Sequence, residues 1–220
     1  LYAHYGYNDF IICTGYKGEV IKNYFMNFYI YQSDITVDLQ TNEVEIHRKQ
    51  TEDWKVSVVD TGQQSSVMER LIMVHELAGE EPVLVAYGDC LSDINIREMV
   101  ENHRRQQSLA TVAIAHPTGR NEILALNEQG EYIGTKQGKK QKHSWVNACS
   151  MVLEACAFDY LKENQEKHFA SSLMDCLAAH EPVQTYRHEG FWSPVETIRD
   201  KTLMENLWAE HKAPWKVWED

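Results

Sequence analysis

Hydrophobic and polar residues alternate along the first part of the chain in blocks that predict strands and helices in turn. Asp9–Thr14 is a short apolar run of β type, and Gly18–Tyr31 carries apolar residues at helical spacing. The alternation in Asp34–Gln50 predicts a β-hairpin or a pair of short edge strands. Trp54–Asp60 is predicted to be a strand and Val67–Leu77 a helix. A strand followed by a helix is the first half of a parallel crossover unit, so the pattern indicates an α/β fold.

The stretch Pro82–Asp93 contains the sharpest change in this pattern, because a run of apolar residues stops at Gly88-Asp89. An unbroken apolar run that ends in a turn predicts a strand buried on both faces, as in the middle of a parallel sheet. The residues that follow predict a helix over Ile94–Gln107 and a strand over Leu109–Ala115. The alternation therefore predicts a doubly wound α/β sheet that is flanked by helices.

Beyond His116 the blocks become shorter and predict a smaller, β-rich region followed by helices. The predicted strands are Glu122–Leu126, Glu131–Thr135, Val146–Leu153 and Val183–Arg187, and the predicted helices are Glu154–Glu163, Phe169–Ala179 and Val195–Glu210. The chain has no internal repeat, and no low-complexity linker divides it. We therefore expect one domain over residues 1–220.

The composition is that of an ordinary globular domain, since 43% of the 220 residues are hydrophobic and 25% are charged. The formal net charge of −12 repels a phosphate backbone, which argues against a nucleic-acid partner. No apolar run approaches the roughly 20 residues that cross a bilayer. The first residues also lack a signal-peptide pattern, so we expect a cytoplasmic location and no membrane partner. Five cysteines without metal-binding spacing favour reduced thiols over disulfides or a zinc site.

Asp89 is the first candidate for chemistry, since it directly follows the apolar run of the predicted central strand. An open α/β sheet binds its ligands at the carboxyl ends of the strands. A carboxylate at that place can hold Mg²⁺ against the phosphates of a ligand. The alternative is that Gly88-Asp89 is only a turn, for which both residue types are favoured. The pattern by itself leaves both interpretations open.

Six stretches spread along the chain together carry a family resemblance. They read YGYNDFIICTGYKGEVIKNYF, DITVDLQTNEVEIH, WKVSVVDTG, YGDCLSDINI, GFWSPVETIRDK and LWAEHKAPWKVWE. In these stretches the chain resembles the glucose-1-phosphate cytidylyltransferases, sugar-nucleotide enzymes that make CDP-glucose and pyrophosphate from CTP and glucose 1-phosphate. The resemblance runs from Leu1 to Asp220 and is densest at the two ends and around Asp89.

The resemblance implies a Rossmann-like nucleotidyltransferase fold, with a mostly parallel sheet and a small β-rich region on the sugar side. It also implies that a hexose 1-phosphate attacks the α-phosphate of CTP in line, with Mg²⁺ stabilising the phosphate charge. The metal ligands that match the family pattern are Asp89 and Glu196, the latter in a position where the family has Asp. For Glu196 the alternative is a favourable interaction with the first turn of the predicted helix.

The resemblance further indicates residues that bind substrate and phosphate. Arg70 and Arg120 keep positions of the family pattern, and surface ion pairs are the alternative for both. Lys139 and Lys140 belong to a basic cluster that could supply a phosphate contact, and a solvated loop is the alternative for them. Substrate-binding candidates are therefore Arg70, Arg120, Lys139 and Lys140.

Several active-site segments of the family are altered in this chain. The Gly-rich loop that cradles the triphosphate would precede Leu1, so we expect the chain to be N-terminally incomplete relative to the family. The Glu-Lys-Pro motif aligns with Gln137-Gly138-Lys139, and a Gly-Gly step aligns with Ala148-Cys149, whose side chains would intrude on the sugar. The alternative function is therefore a catalytically degenerate nucleotidyltransferase-like protein, a pseudoenzyme that acts as a structural or regulatory subunit.

The C-terminal part of the chain is rich in tryptophan, with Trp192, Trp208, Trp215 and Trp218. Such large apolar side chains predict packing, either on the domain itself or on another subunit. Because the family forms homo-oligomers, the resemblance favours a homo-oligomer, or a subunit of an assembly, that associates through this Trp-rich C-terminus.

Overall fold

The computed structural model describes residues 1–49, 52–116, 123–136, 144–164 and 172–219. The chain divides into two compact units, Gly6–Leu77 and a larger unit made of Leu1–Tyr5 together with Ala78–Asp220. Both contain helices and strands, which confirms the predicted α/β class. One domain over residues 1–220 stays a prediction. Within the described ranges, no helix is both long enough and apolar enough to cross a bilayer.

The smaller unit consists of a parallel strand pair, a hairpin and three helices. Its elements in chain order are β1 (Asp9–Thr14), α1 (Gly18–Met26), α2 (Phe28–Tyr31), β2 (Ser33–Asp38), β3 (Glu43–Lys49), β4 (Lys55–Asp60) and α3 (Val67–Ala78). The predicted helix Gly18–Tyr31 is divided at Asn27. β1 and β4 pair in parallel, and β2 and β3 form the predicted hairpin. The hairpin turn contains Asn42 at a φ of 59°, a left-handed conformation that Asn tolerates because its short side chain can hydrogen-bond locally.

The larger unit begins with a short 3-10 helix at Ala3–Tyr5 and resumes after α3. Its further elements are β5 (Val83–Ala86), β6 (Cys90–Ser92), α4 (Ile96–Gln106), β7 (Ala110–Ala115), β8 (Ile123–Leu126), β9 (Tyr132–Lys136), β10 (Val146–Leu153), α5 (Cys156–Asn164), α6 (Leu173–Ala178), β11 (Gln184–Arg187), β12 (Trp192–Pro194) and α7 (Ile198–Ala209). The sequence pattern predicts all of these except β6 and β12. Three residues are too few to show a periodicity.

The largest sheet has four strands in the order β11-β7-β10-β5. β11 runs parallel to β7, whereas β10 is antiparallel to both β7 and β5. The sheet is therefore mixed: β5, β7 and β11 run in one direction and β10 runs against them, so three of its four described strands are mutually parallel, as predicted. The prediction that the Pro82–Asp89 strand lies in the middle of the sheet is wrong. β5 lies at the end of its sheet, and its side chains are half-buried or exposed.

The core of the larger unit forms around β7, all six residues of which are buried. α4 packs against β7, β10 and β11. It begins at Asn95, whose side-chain oxygen accepts a hydrogen bond from the Glu98 backbone N–H at 3.1 Å. Large side chains with almost no exposed area come from α4 and the segment just before it, from β7 and β10, and from α5 and α6: Ile94, Ile96, Met99, Val112, Ile114, Val146, Val152, Leu153, Phe158, Leu161 and Leu177.

The C-terminal tail packs on its own unit. Trp192 in β12 is 3% exposed and Trp215 is 7% exposed. The ring of Trp215 lies 5.5 Å from that of Phe191, while Trp208 stays about half exposed beside Trp218. Packing on the domain itself was one of the two alternatives for the tryptophans. Association with another subunit through this region stays a prediction.

Candidate functional site

Asp89 lies in the turn between β5 and β6, and its side chain is exposed. β6 pairs antiparallel with β12, so that Cys90 stands opposite Pro194. The Val195 backbone N–H extends this pairing by donating to the Asp89 carbonyl oxygen at 2.7 Å. The next residue is Glu196, which is also exposed. The pairing therefore brings the backbone segments of the two predicted metal ligands side by side.

The loop that leads into β12 is held by a contact between Asp93 and His188 and by a hydrogen bond from His188 to the Phe191 backbone. Nε2 of His188 lies 2.9 Å from Oδ1 of Asp93 and donates to the Phe191 carbonyl oxygen at 2.9 Å. Gly190 packs against this pair so closely that a Cβ would come 2.5 Å from Asp93 Oδ1 and 2.8 Å from His188 Cε1. The GFW motif therefore needs glycine for close approach, and this contact fixes the start of the strand that precedes Glu196.

Glu196 precedes α7, which begins at Ile198 and not at Val195 as predicted. The N-cap of α7 is Thr197, whose hydroxyl accepts from the Asp200 backbone N–H and donates to the Asp200 carboxylate. The hydrogen bonds from the side chain and the backbone of Thr197 lower the pKa of Asp200. Because Thr197 and Asp200 already cap the helix, Glu196 lies outside the first turn in which the alternative interpretation placed it.

Cys90 and Cys149, which are far apart in the sequence, meet at Asp89. One ligand atom from each of the three side chains lies within 4.8 Å of the other two. Cys90 Sγ is 3.7 Å from Asp89 Oδ1. In the part of the chain that the structure describes, no other group of three or more Cys, His, Asp or Glu side chains is spaced so closely. The cysteine spacing in the sequence gave no indication of this cluster.

The backbone at Cys149 is unusual for a residue inside a strand. β10 contains a register shift between Asn147 and Met151, and Cys149 within it has a φ of 63°. Its backbone N–H donates to Asn147 Oδ1 at 2.8 Å, and its carbonyl oxygen accepts from the Tyr87 N–H at 3.0 Å. A left-handed L-residue costs about 1–2 kcal/mol. The two hydrogen bonds hold this conformation and fasten Cys149 to the segment that carries Asp89.

The thiols and the carboxylate crowd one another electrostatically. The hydrogen bond with the Cys149 thiol, followed by burial and by the Asp89 carboxylate, raises the pKa of Cys90. Burial, followed by Cys149 and Asp89, raises the pKa of Tyr87. No Lys, Arg or His within the described ranges forms an ion pair with Asp89. A cation that binds here must displace the thiol protons, because the thiolate is the form of cysteine that binds metals.

Both thiols open onto a cavity of about 130 Å³ in the larger unit. Four aromatic residues contribute to its wall: Tyr2, Tyr87, Trp215 and Trp218. The Tyr2 hydroxyl is 2.8 Å from the Ser150 hydroxyl, and burial raises the pKa of Tyr2. The cluster thus adjoins a partly open cavity at its two thiols and the surface at Asp89.

Arg70 lies in the smaller unit, on α3. Its Nη1 is 3.1 Å from the Thr14 carbonyl oxygen and 2.5 Å from Thr61 Oγ1, and its Nε donates to the Ser65 carbonyl oxygen at 3.1 Å. These bonds tie together the loops that follow β1 and β4. A phosphate-binding role for Arg70 stays a prediction, as do those of Arg120, Lys139 and Lys140, which lie outside the described residues.

Comparison with known proteins places the chain among sugar-nucleotide enzymes. No protein-family model matches it. It is 36% identical over 220 residues to the glucose-1-phosphate cytidylyltransferase of Salmonella typhi, covering all of this chain and 85% of that protein. Identity and coverage are the same for the glucose-1-phosphate cytidylyltransferase of Salmonella typhimurium. A solved UDP-glucose pyrophosphorylase in complex with UDP-glucose has a TM-score of 0.63 at 14% identity, over 93% of this chain and 81% of that one. The last comparison confirms the nucleotidyltransferase fold.

Proposed function

Because the chain belongs to the glucose-1-phosphate cytidylyltransferase family, we propose that it transfers a cytidylyl group from CTP to glucose 1-phosphate. A phosphate oxygen of the sugar attacks the α-phosphorus of CTP, and the bond from that phosphorus to the bridging oxygen breaks. Pyrophosphate leaves with the bonding electron pair, and CDP-glucose remains. The products and the reactants balance without any further co-reactant.

The observation that carries the proposal is the backbone link between the segments of Asp89 and Glu196. The 2.7 Å hydrogen bond from Val195 N–H to the Asp89 carbonyl oxygen brings these segments together from distant parts of the sequence. Both carboxylates are exposed and therefore accessible to a substrate. Carboxylates carried by two backbone segments that are joined at the end of a strand favour phosphate chemistry that depends on a hard cation.

Asp89 and Glu196 would together hold Mg²⁺, which supplies charge stabilisation for the phosphates when it is bound. Their oxygen atoms suit this cation, because Mg²⁺ prefers oxygen ligands in near-octahedral geometry. The Cys90 and Cys149 thiols suit it less well, since sulfur ligands select softer metals. The residues of the chain then orient the two substrates, with Arg70, Arg120, Lys139 and Lys140 proposed as the groups that contact phosphate.

A second function, that of a catalytically degenerate subunit, is favoured by Cys149. The family resemblance puts a glycine at this position, where the backbone must approach a sugar. Here a side chain is present, and its sulfur points into the group formed with Cys90 and Asp89. A thiol in this place would obstruct the binding of a hexose. It would also contact the Asp89 carboxylate, which the reaction needs for Mg²⁺. In this case the chain would bind nucleotide weakly and serve a structural or regulatory role.

The deciding experiment measures pyrophosphate release from CTP and glucose 1-phosphate with Mg²⁺. We expect turnover by the unmodified chain and a loss of at least about 100-fold in kcat/KM for Asp89→Asn and Glu196→Gln. Glu205→Gln is the matched control, because this carboxylate pairs with Lys201 on the surface of α7. Turnover should be unchanged in the control.

Absence of turnover with any nucleoside triphosphate would refute the enzyme proposal. Calorimetric titration with CTP and Mg²⁺ then tests the second function. If the chain is a degenerate subunit, CTP should bind weakly or not at all, and the unmodified chain and Asp89→Asn should give similar heats. A homo-oligomer and a cytoplasmic location are further inferences from the family. Light scattering on the purified chain tests the first of them.

A further inference from the structure

We propose that Asp89, Cys90 and Cys149 form a binding site for a thiophilic divalent cation such as Zn²⁺. The site is different from the proposed Mg²⁺ site, although the two share Asp89. It stands on the geometry of the larger unit and does not depend on whether the chain is an active transferase. Its three side chains reach one point from two segments of the fold, the β5–β6 turn and the irregular part of β10.

The distances fit a cation between the three ligand atoms. Since all three lie within 4.8 Å of one another, a point exists within about 2.8 Å of each, compared with about 2.3 Å for a Zn–S bond. The 3.7 Å between Cys90 Sγ and Asp89 Oδ1 is close to the separation of two ligands in a tetrahedral zinc site. A small rotation of side chains therefore suffices, and no backbone movement is needed.

The backbone holds these ligands in place before a cation arrives. The N–H of Tyr87 donates to the carbonyl oxygen of Cys149, so the two segments are joined directly beside the thiols. The Asn147 side chain accepts from the Cys149 N–H and fixes its left-handed conformation. Such preorganisation lowers the entropic cost of binding, because less side-chain and backbone freedom is lost.

The chemistry of the donors selects a soft or borderline cation. Two sulfur atoms and one carboxylate are a known type of donor set for Zn²⁺, whereas Mg²⁺ strongly prefers oxygen. Three protein ligands leave the fourth tetrahedral position open. The adjoining cavity of about 130 Å³ has room for a water molecule at that position. The cation would bind the thiolate forms, so its uptake releases the thiol protons.

Titration with Co²⁺ tests the site, because cobalt bound to thiolate absorbs by charge transfer and reports tetrahedral geometry. The full chain, fully reduced, should develop this absorption up to one equivalent, and Zn²⁺ should displace it. Cys90→Ser and Cys149→Ser should each weaken binding by about tenfold or more and diminish the charge-transfer band. Asp89→Asn should weaken binding but keep the band.

Cys156→Ser is the control, because this thiol is exposed and lies outside the cluster. It should leave both affinity and absorption unchanged, and circular dichroism should show that every variant is folded. Three results would overturn the proposal. The first is no charge-transfer band in the reduced chain, and the second is equal losses in the Cys156→Ser control. The third is a Cys90–Cys149 disulfide found by peptide mapping together with no cation uptake after reduction, which would indicate a redox thiol pair instead. None of these results bears on pyrophosphate release, so the two proposals fail separately.

Discussion

The left-handed backbone at Cys149 allows a sharp test of the structure around the candidate site. Replacement by Gly and replacement by Ala both remove the thiol, but only Gly removes the Cβ that makes a φ of 63° unfavourable. We therefore expect Cys149→Gly to be more stable than Cys149→Ala. The comparison isolates the backbone conformation from the loss of the sulfur.

The size of the difference follows from two opposing terms. An L-residue in the left-handed region costs about 1–2 kcal/mol relative to Gly. Glycine has more conformational freedom in the unfolded chain, and this reduces the stability gained by Gly over Ala by about 0.4–1 kcal/mol. The net difference in unfolding free energy is about 1 kcal/mol in favour of Gly. For a chain of 220 residues this is roughly 2–4 °C in Tm.

Urea denaturation measures this difference, provided that the dependence of the unfolding free energy on urea concentration is the same in both variants. Substitutions at Cys90 are the matched control. Cys90 belongs to the same thiol pair but has no left-handed backbone in β6. Cys90→Gly should therefore be less stable than Cys90→Ala by roughly 0.5–1 kcal/mol, the reverse order. If Ala at position 149 is as stable as Gly, the left-handed conformation is not held in solution, and the reasoning about this bulge is refuted.

Three further predictions concern the elements that position the site. Asn95→Ala should lower the unfolding free energy by about 1 kcal/mol through loss of the α4 cap, and Asn95→Asp should stay near wild type in urea denaturation. Gly190→Ala should destabilise by about 1–3 kcal/mol, because its Cβ would come 2.5 Å from Asp93 Oδ1. An unchanged melting temperature would contradict that contact. Because hydrogen bonds from Thr197 lower the pKa of Asp200, its stabilisation should be present above the unfolded-state pKa of 3.8 and be lost as pH falls through the lower folded value. A carboxyl titration followed by NMR should move back toward 3.8 in Thr197→Ala.

The elements with a clear local pattern could be predicted from the sequence. β1 was predicted at Asp9–Thr14 and has those bounds, and the hairpin of β2 and β3 follows its alternation. β5 marks the limit of this approach, because an apolar run indicates a strand but not its neighbours. Among the described strands it pairs with β10, an antiparallel strand far along the chain. Pairing depends on tertiary contacts, which the pattern of one segment does not contain.

The candidate site was predictable only in part, because its residues are brought together by strand pairing. Asp89 and Glu196 came from a family resemblance, and their adjacency depends on the pairing of β6 with β12, each too short to be seen in the sequence. The sequence indicated Cys149 only through the Ala148-Cys149 step that replaces Gly-Gly, and Cys90 only as one of five cysteines without metal-binding spacing. Their meeting requires the register shift in β10, which turns Cys149 out of the regular ladder. Nothing in the spacing of the cysteines signals such an irregularity.

Asp89 belongs to two proposed cation sites, one with Glu196 and one with Cys90 and Cys149. β12 joins the segment of Glu196 to that of Asp89, and the two carboxylates would supply the proposed Mg²⁺ site with oxygen. β10 brings Cys149 to Asp89, where its sulfur would serve the proposed Zn²⁺ site. A carboxylate engaged with a thiolate-bound cation has less negative charge to offer Mg²⁺. The two sites can be separated, because Cys149→Gly removes one of them and leaves the β6–β12 pairing untouched. That variant should therefore lose Zn²⁺ binding while the Asp89–Glu196 pair stays available to Mg²⁺, and a loss of both would mean that the two sites are not independent.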